Sequence, residues 1–210
     1  MQQLIGNIAL NISFLVYLVL YLPQVIHNLR RRSTEGLSFL MHIILVIGYT
    51  ADMMYGFGRH MQWQYRVVSI VGLICLTVQH IQIGAYQKKL TANYVLATLL
   101  IVGWLGYALY AMLTPNLPAR IYIDAGLVAW GTGVVYTLPQ IWKNYRFASS
   151  MGVSILFIYF DIISSSCDTI SAWCLNWDYP SKFGSPIECV LGLFLLIQVY
   201  FYYQKRVKLA

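Results

Sequence analysis

Five carboxylates stand inside long apolar runs of this 210-residue chain: Asp52, Asp124, Asp161, Asp168 and Glu188. A charge at bilayer depth is costly, so acids there pair with a partner or mark a path for ions and solutes. Asp161 is predicted to lie about eight residues into its run, roughly 12 Å along a helix rising 1.5 Å per residue. Asp168 follows seven residues later, which returns it to the same helix face. Ser164, Ser165 and Ser171 decorate or flank that face, and such a stripe should line a cavity rather than meet lipid. An acid at that depth can take up and release a proton, the requirement for proton coupling. Asp161 is the first candidate, with Asp168 and Asp52 behind it. The plainer reading of Asp52 and Asp168 is an ion pair with Arg66, Arg120 or Lys182. Asp124 and Glu188 fall near the outer ends of their runs, where capping or water explains them.

Two Pro-Gln pairs, Pro23-Gln24 and Pro139-Gln140, are the second chemical feature. Proline within a helix removes a donor and weakens the bond to the carbonyl four residues back, here Val19 and Val135. That carbonyl needs a partner in lipid. The neighbouring glutamine carries donor and acceptor groups, so it can supply one or bind a ligand. Pro23 and Pro139 are therefore predicted to act as hinges, the alternative being a kink that only shapes packing.

The elements that position these residues follow from composition. The chain is 59% hydrophobic and only 10% charged, against about 25% charged residues in a soluble domain. A hydrocarbon core of about 30 Å takes about 20 helical residues to cross. Seven runs qualify, at approximately 4–26, 37–57, 67–86, 94–113, 121–142, 153–175 and 186–203. They are too long for barrel strands. The first is too long for a signal-peptide core and reads as a retained span. The net charge of +7 sits in short clusters between spans, which fits membrane loops and excludes a nucleic-acid groove. Ten basic residues fall on one side: Arg30, Arg31, Arg32, Lys88, Lys89, Lys143, Arg146, Lys205, Arg206 and Lys208. Arg59, Arg66, Arg120 and Lys182 fall on the other. The first side should be cytoplasmic, with the C-terminus inside and the N-terminus outside or lumenal.

The sequence also repeats. Leu22-Pro23-Gln24-Val25 returns 116 residues later as Leu138-Pro139-Gln140-Ile141. Asn28, Arg30, Ser33, Gly36, Ser38 and Asp52 return at the same spacing as Asn144, Arg146, Ser149, Gly152, Ser154 and Asp168. The expected fold is thus an all-α integral membrane protein whose seven helices form two parallel three-helix bundles. One repeat spans 1–91, a linker helix spans 92–115, and the second repeat spans 116–210. Duplicated folds of this kind typify transporters, with the substrate at the repeat interface.

These residues resemble a known family. Pro23-Gln24-Val25-Ile26 through Asn28, Ser33 and Gly36-Leu37-Ser38-Phe39 is similar to the first repeat of PQ-loop proteins, in particular the cystinosin branch. Pro139-Gln140, Asn144, Gly152 and Ser154 resemble the second repeat. Tyr159-Phe160-Asp161 and Pro180-Ser181-Lys182-Phe183-Gly184 resemble that branch too. The resemblance implies a transporter that moves a cystine-like amino acid together with protons. It assigns proton coupling to Asp161. Substrate contacts are expected at Gln24, Gln140, Asn144, Asp161 and Lys182, with Asp161 lining a cavity between the two bundles close to Gln24, Gln140 and Asn144. Relatives carry cationic amino acids, and the more distant SWEET proteins carry sugars. Two features depart from the branch. The sequence opens on its first span without a large glycosylated domain, and Leu193 stands where the branch has an acid in span seven, with Glu188 nearby.

Competing readings are a sugar facilitator, which needs no titratable group at mid-membrane, and a receptor of the same architecture that does not transport. An enzyme is not expected, since no nucleophile–base pair, metal motif or phosphate loop is present. No metal site is expected at His42 or His80, which look isolated, or at Cys75, Cys167, Cys174 and Cys189, which form no CxxC pair. The tyrosines and tryptophans read mostly as interface belt and packing, with Tyr136 and Trp142 as candidates to stack on substrate. No cofactor is implied beyond protons as coupling ion. The partners are a small-molecule substrate and the bilayer, with the oligomeric state open. The compartment is a bacterial inner membrane or a lysosome-like endomembrane.

Overall fold

The computed structural model describes residues 1–86, 90–177 and 179–209, apart from the side chains of 179–180 and 203–209. Lys88 and Lys89, assigned to the cytoplasmic side, lie outside these residues, as do the side chains of Lys205, Arg206 and Lys208. The described chain is helical throughout: α1 (Gln2–Val19), α2 (Leu22–Arg31), α3 (Phe39–Gly58), α4 (Trp63–Ala85), α5 (Ala92–Leu113), α6 (Ala119–Val135), α7 (Leu138–Phe147), α8 (Ile155–Cys174) and α9 (Tyr179–Leu209). Seven spans are long and apolar enough to cross a bilayer. Their outward faces are apolar, as in α5, which exposes Leu96, Leu99, Leu100 and Leu109. In lipid every backbone group must be satisfied within its own helix, so exposed leucines there are a solvent match.

Two predicted spans differ in form. The first and fifth are each longer than hydropathy indicates, Gln2–Arg31 and Ala119–Phe147, and each is broken into two helices just before its proline. Pro23 and Pro139 occupy the first turn of α2 and α7, where the missing N–H would be unpaired in any case. They restart a helix rather than bend one. The last helix begins at Tyr179, two turns before Pro186, and carries that proline in its interior.

The repeat is visible in local backbone detail. Ser38 and Ser154 cap α3 and α8 by accepting from the N–H three residues on. Helices α2 and α7 both end on a left-handed residue, Arg32 and Ala148, each at φ 46°. There Ser33 N donates to Asn28 O and Ser149 N to Asn144 O, which ties off carbonyls that a helix end leaves unpaired.

Contacts between spans follow the same exchange. Helix α1 packs along α8, and α3 along α6. In the first half α4 touches α1 and α3; in the second α9 touches α8 and α6. Helix α5 packs on α3. Small residues allow the closest approaches: a Cβ on Gly6 of α1 would meet Cys174 and Leu175 within 2.8 Å. The principal core, around Leu20, Tyr21, Leu45, Tyr136, Phe157 and Ile158, fills the centre between the two halves.

Candidate functional site

A cavity of about 520 Å³ lies between the halves. Helices α1, α3, α4, α6, α8 and α9 all contribute to its wall. It reaches the end of the molecule formed by Arg59, Gln64, Trp177 and Ser181, the end at which α1 begins beside Cys174 and Leu175. Its volume falls in the range of small-molecule sites, roughly 300–1,000 Å³.

Among the described residues, four acids face it: Asp52 from α3, Asp161 and Asp168 from α8, and Glu188 from α9. The three aspartates are each held by tyrosine. Tyr136 Oη donates to Asp161 Oδ1 at 2.6 Å. Tyr17 Oη donates to Asp168 Oδ2 at 2.9 Å, and Ser13 Oγ to its Oδ1. Tyr65 Oη donates to Asp52. The expected ion pairs of Asp52 and Asp168 with Arg66, Arg120 or Lys182 are not formed: Arg120 pairs instead with Asp124 on the exposed face of α6, Arg66 lies over the Phe57 ring, and Lys182 Nζ donates to Asn176 at 2.6 Å and lies over Trp173. A carboxylate held by neutral donors can change protonation without stranding a buried cation.

Glu188 corrects the sequence reading. Because α9 starts before Pro186, Glu188 lies well inside its helix. It shares the cavity wall with Tyr136 and Asp161, and Gly133 of α6 leaves it space, with a Cβ there 4.0 Å from Glu188 Oε1. Gly192 does the same for Asp161, whose Oδ2 lies 3.3 Å from the Cβ position. Leu193 is exposed on the outer face. Among the described side chains, six tyrosines also line the cavity, Tyr17, Tyr21, Tyr49, Tyr55, Tyr65 and Tyr136; only Tyr136 is singled out by the sequence. Trp142 is exposed and away from the cavity. The predicted serine stripe is packing: Ser164 and Ser165 are fully buried and donate to Asp161 O, and Ser171 donates to Gly6 O across the α1–α8 contact.

The Pro-Gln helices build the opposite end. Gln24 Nε2 donates to Gly152 O at 3.1 Å, and its Oε1 accepts from Ser154 N at 2.8 Å. Gln140 Nε2 donates to Gly36 O at 3.0 Å, and its Oε1 accepts from Ser38 N at 2.7 Å. Each glutamine also donates to the asparagine four residues on, Asn28 or Asn144. The amides thus cross from one half to the other, 116 residues apart on both sides of each bond, and meet where Gly36 lies against Gly152. Both Pro-Gln pairs lie at this one end. The expectation that Gln24, Gln140 and Asn144 sit close to Asp161 in the cavity is not met; they are buried in this lock, with the apolar layer of Leu45 and Phe157 between. They also leave the carbonyls of Val19 and Val135 alone. Pro23 and Pro139 line grooves on the outer surface.

His42 and His80 are not isolated. They stack at 5.2 Å with Nε2 of one 3.1 Å from Nδ1 of the other, and Gln79 and Thr98 hold the outer nitrogens. Residues on adjacent spans 38 positions apart meet only once α3 and α4 pack, and no spacing signal marks them. No group of three metal-binding side chains occurs among the described residues.

Known proteins resemble this chain in sequence and in fold. Cystinosin of Drosophila melanogaster is 25% identical over 230 aligned positions, covering 93% of this chain and 56% of that protein. Cystinosin of Bos taurus is 22% identical, covering 89% and 58%. The lysosomal amino acid transporter 1 homolog of Homo sapiens is 27% identical over 110 positions, covering 44% and 36%. The chain thus spans little more than half the length of the cystinosins it matches. The solved structure of a eukaryotic SWEET transporter superposes with a TM-score of 0.71 at 15% identity, over 97% of this chain and 99% of that one; at that identity the likeness is one of fold. The family model of the PQ loop repeat matches residues 5–65 and 125–181, which contain the two halves of the reciprocal glutamine lock, and the chain therefore belongs to the PQ-loop repeat family.

Proposed function

We propose that this protein is a membrane transporter that carries a small polar solute, an amino acid of the cystine-like class, together with protons by alternating access. The observation that carries the reading is Asp161: a carboxylate at the bottom of a cavity that reaches one end of the molecule, bonded to Tyr136 and stopped from the other end by the glutamine lock. In this reading residues 1–91 and 116–210 are two repeats that move against each other, and 92–115 links them. Opening the other end requires the cross-bonds of Gln24 and Gln140 to break while the α1–α8 and α3–α6 contacts tighten around the cavity. Asp161 loads a proton from the cavity side, with Asp168, Asp52 and Glu188 able to share it.

One observation favours a second substrate class. Among the described residues, four carboxylates face the cavity against one arginine, Arg59, on its wall, which suits a cationic amino acid. The name of one relative, a lysosomal amino acid transporter, points to amino acids in either case. The test is uptake of labelled cystine, lysine, arginine and glucose into proteoliposomes of the purified chain, with and without an imposed proton gradient. Gradient-stimulated uptake of an amino acid supports the proposal, and cystine against lysine decides between the two classes. Glucose uptake that ignores the gradient would overturn it.

A further inference from the structure

Two grooves open on the outer surface beside the locked end, and they are the same groove built twice. The first, about 1220 Å³, is lined from the Pro-Gln side by Val19, Leu22, Pro23, Ile26, His27 and Arg30. The second, about 560 Å³, is lined by the residues 116 positions later: Val135, Leu138, Pro139, Trp142, Lys143 and Arg146. Their opposite walls also correspond, with Ser154, Leu156 and Phe160 in one and Ser38, Leu40 and Ile44 in the other.

Each groove is apolar along the span and basic at its mouth. The two basic positions differ in what they do. His27 and Lys143 hold backbone, His27 Nε2 lying 3.2 Å from Met151 O and Lys143 Nζ donating to Leu37 O at 2.6 Å. Arg30 and Arg146 are exposed and form no ion pair with a described carboxylate. An arginine at the mouth of an apolar slot in a membrane span offers its forked donors to a phosphate while the slot takes an acyl chain. Met151 lines the first groove, and its counterpart 116 positions earlier is the exposed acid Glu35, so the first groove is the more favourable to an anion.

We propose that the two grooves are paired binding sites for an anionic glycerophospholipid, its phosphate on Arg30 or Arg146 and an acyl chain against the proline-bearing helix. The site flanking Arg30 is the tighter. The occupant is a lipid rather than a free anion because most of each wall is hydrocarbon. Pro23 and Pro139 form part of the walls, so a bound chain lies against the point where each span restarts.

The purified full chain in neutral detergent, examined by native mass spectrometry with palmitoyl-oleoyl phosphatidylglycerol or the phosphatidylcholine of the same chains, tests this. The expected result is retention of phosphatidylglycerol in preference to phosphatidylcholine, with two bound at saturation. Arg30→Gln should weaken phosphatidylglycerol binding about fivefold, the effect of one basic residue at a membrane surface, and Arg30→Lys should keep most of it. Arg30→Gln with Arg146→Gln should abolish the preference while phosphatidylcholine retention, the control for folding, stays as in the wild type. Equal retention of the two lipids by the wild type, or a double variant that keeps the preference, would overturn the proposal.

Discussion

Each cavity aspartate meets a tyrosine hydroxyl where a lysine or arginine would have fixed its charge. A tyrosine donates to the ionised form and accepts from the protonated one, so proton uptake at Asp161 needs only a rotation of the Tyr136 hydroxyl. Asp161→Asn keeps the side-chain shape and removes the charge, so the protein should fold, lose stimulation by an imposed proton gradient, and still exchange substrate by counterflow. Proton-driven uptake and counterflow on the same purified variant check this, and wild-type proton-driven uptake would remove Asp161 from the coupling path. Glu188 belongs to the same cluster. Glu188→Gln should lower proton-driven uptake by about tenfold, or about 1.4 kcal/mol, whereas Asp124→Asn, on the exposed face of α6, should leave it unchanged. Equal effects of the two would return Glu188 to the role of a surface acid. The acids of α8 were legible because seven residues bring a side chain back to one helix face. The depth of Glu188 was not, because Pro186 reads as a helix start and the helix begins at Tyr179. The tyrosine partners were not legible either: Tyr17, Tyr65 and Tyr136 have no tyrosine at the repeat spacing, and their contacts with the acids arise only from packing between spans.

At the scale of elements, the repeat was readable to the residue, and its mechanical use was not. A 116-residue spacing identifies Gln24 with Gln140 and Ser38 with Ser154, but nothing in it says that Gln24 bonds Ser154 while Gln140 bonds Ser38. That exchange is a property of how the halves face each other. The prolines likewise mark the break in each span correctly and its form incorrectly, since α2 and α7 start at the Pro-Gln segment rather than bending there. Pro23→Ala and Pro139→Ala restore a backbone donor and favour a continuous helix over residues 2–31 or 119–147. The expected result is slower turnover with substrate affinity little changed, because the cavity lies away from both prolines and, in the proposed cycle, the conformational step passes through them. Turnover and affinity measured on each variant decide it; losses confined to affinity would assign the prolines to packing. Gln24→Ala should act differently. It leaves Ser154 N–H and Gly152 O without their buried partner, at about 1–3 kcal/mol for each group, and so favours the state in which the locked end is open.

For the whole molecule, the closed end brings Gly36 against Gly152, a contact between equivalent residues of the two repeats. A Cβ on Gly152 would lie 2.0 Å from Gly36 C and 2.3 Å from Leu37 N. Both are backbone atoms, so no rotamer change relieves the overlap. Gly36 itself stands at φ +91°, a conformation suited to glycine. Gly152→Ala should therefore prevent this end from closing while leaving each helix intact, since its neighbours Val153 and Met151 already carry side chains. In a two-state carrier, blocking closure at one end shifts the population toward the state closed at the other. A single cysteine placed at Ser185, half-buried on the cavity wall, reports that shift. In the otherwise native protein with its own cysteines replaced, a membrane-impermeant thiol reagent added on the N-terminal side should label Ser185→Cys readily. In the Gly152→Ala background the labelling rate should fall, by about tenfold if the shift amounts to about 1.4 kcal/mol, and proton-driven uptake should fall with it. Gly103→Ala, at a position on α5 with nothing within 4 Å of the added carbon, should change neither reading. If Gly152→Ala labels at the native rate and transports normally, the Gly36–Gly152 contact is not what closes the molecule, and the glutamine cross-bonds would have to do so alone.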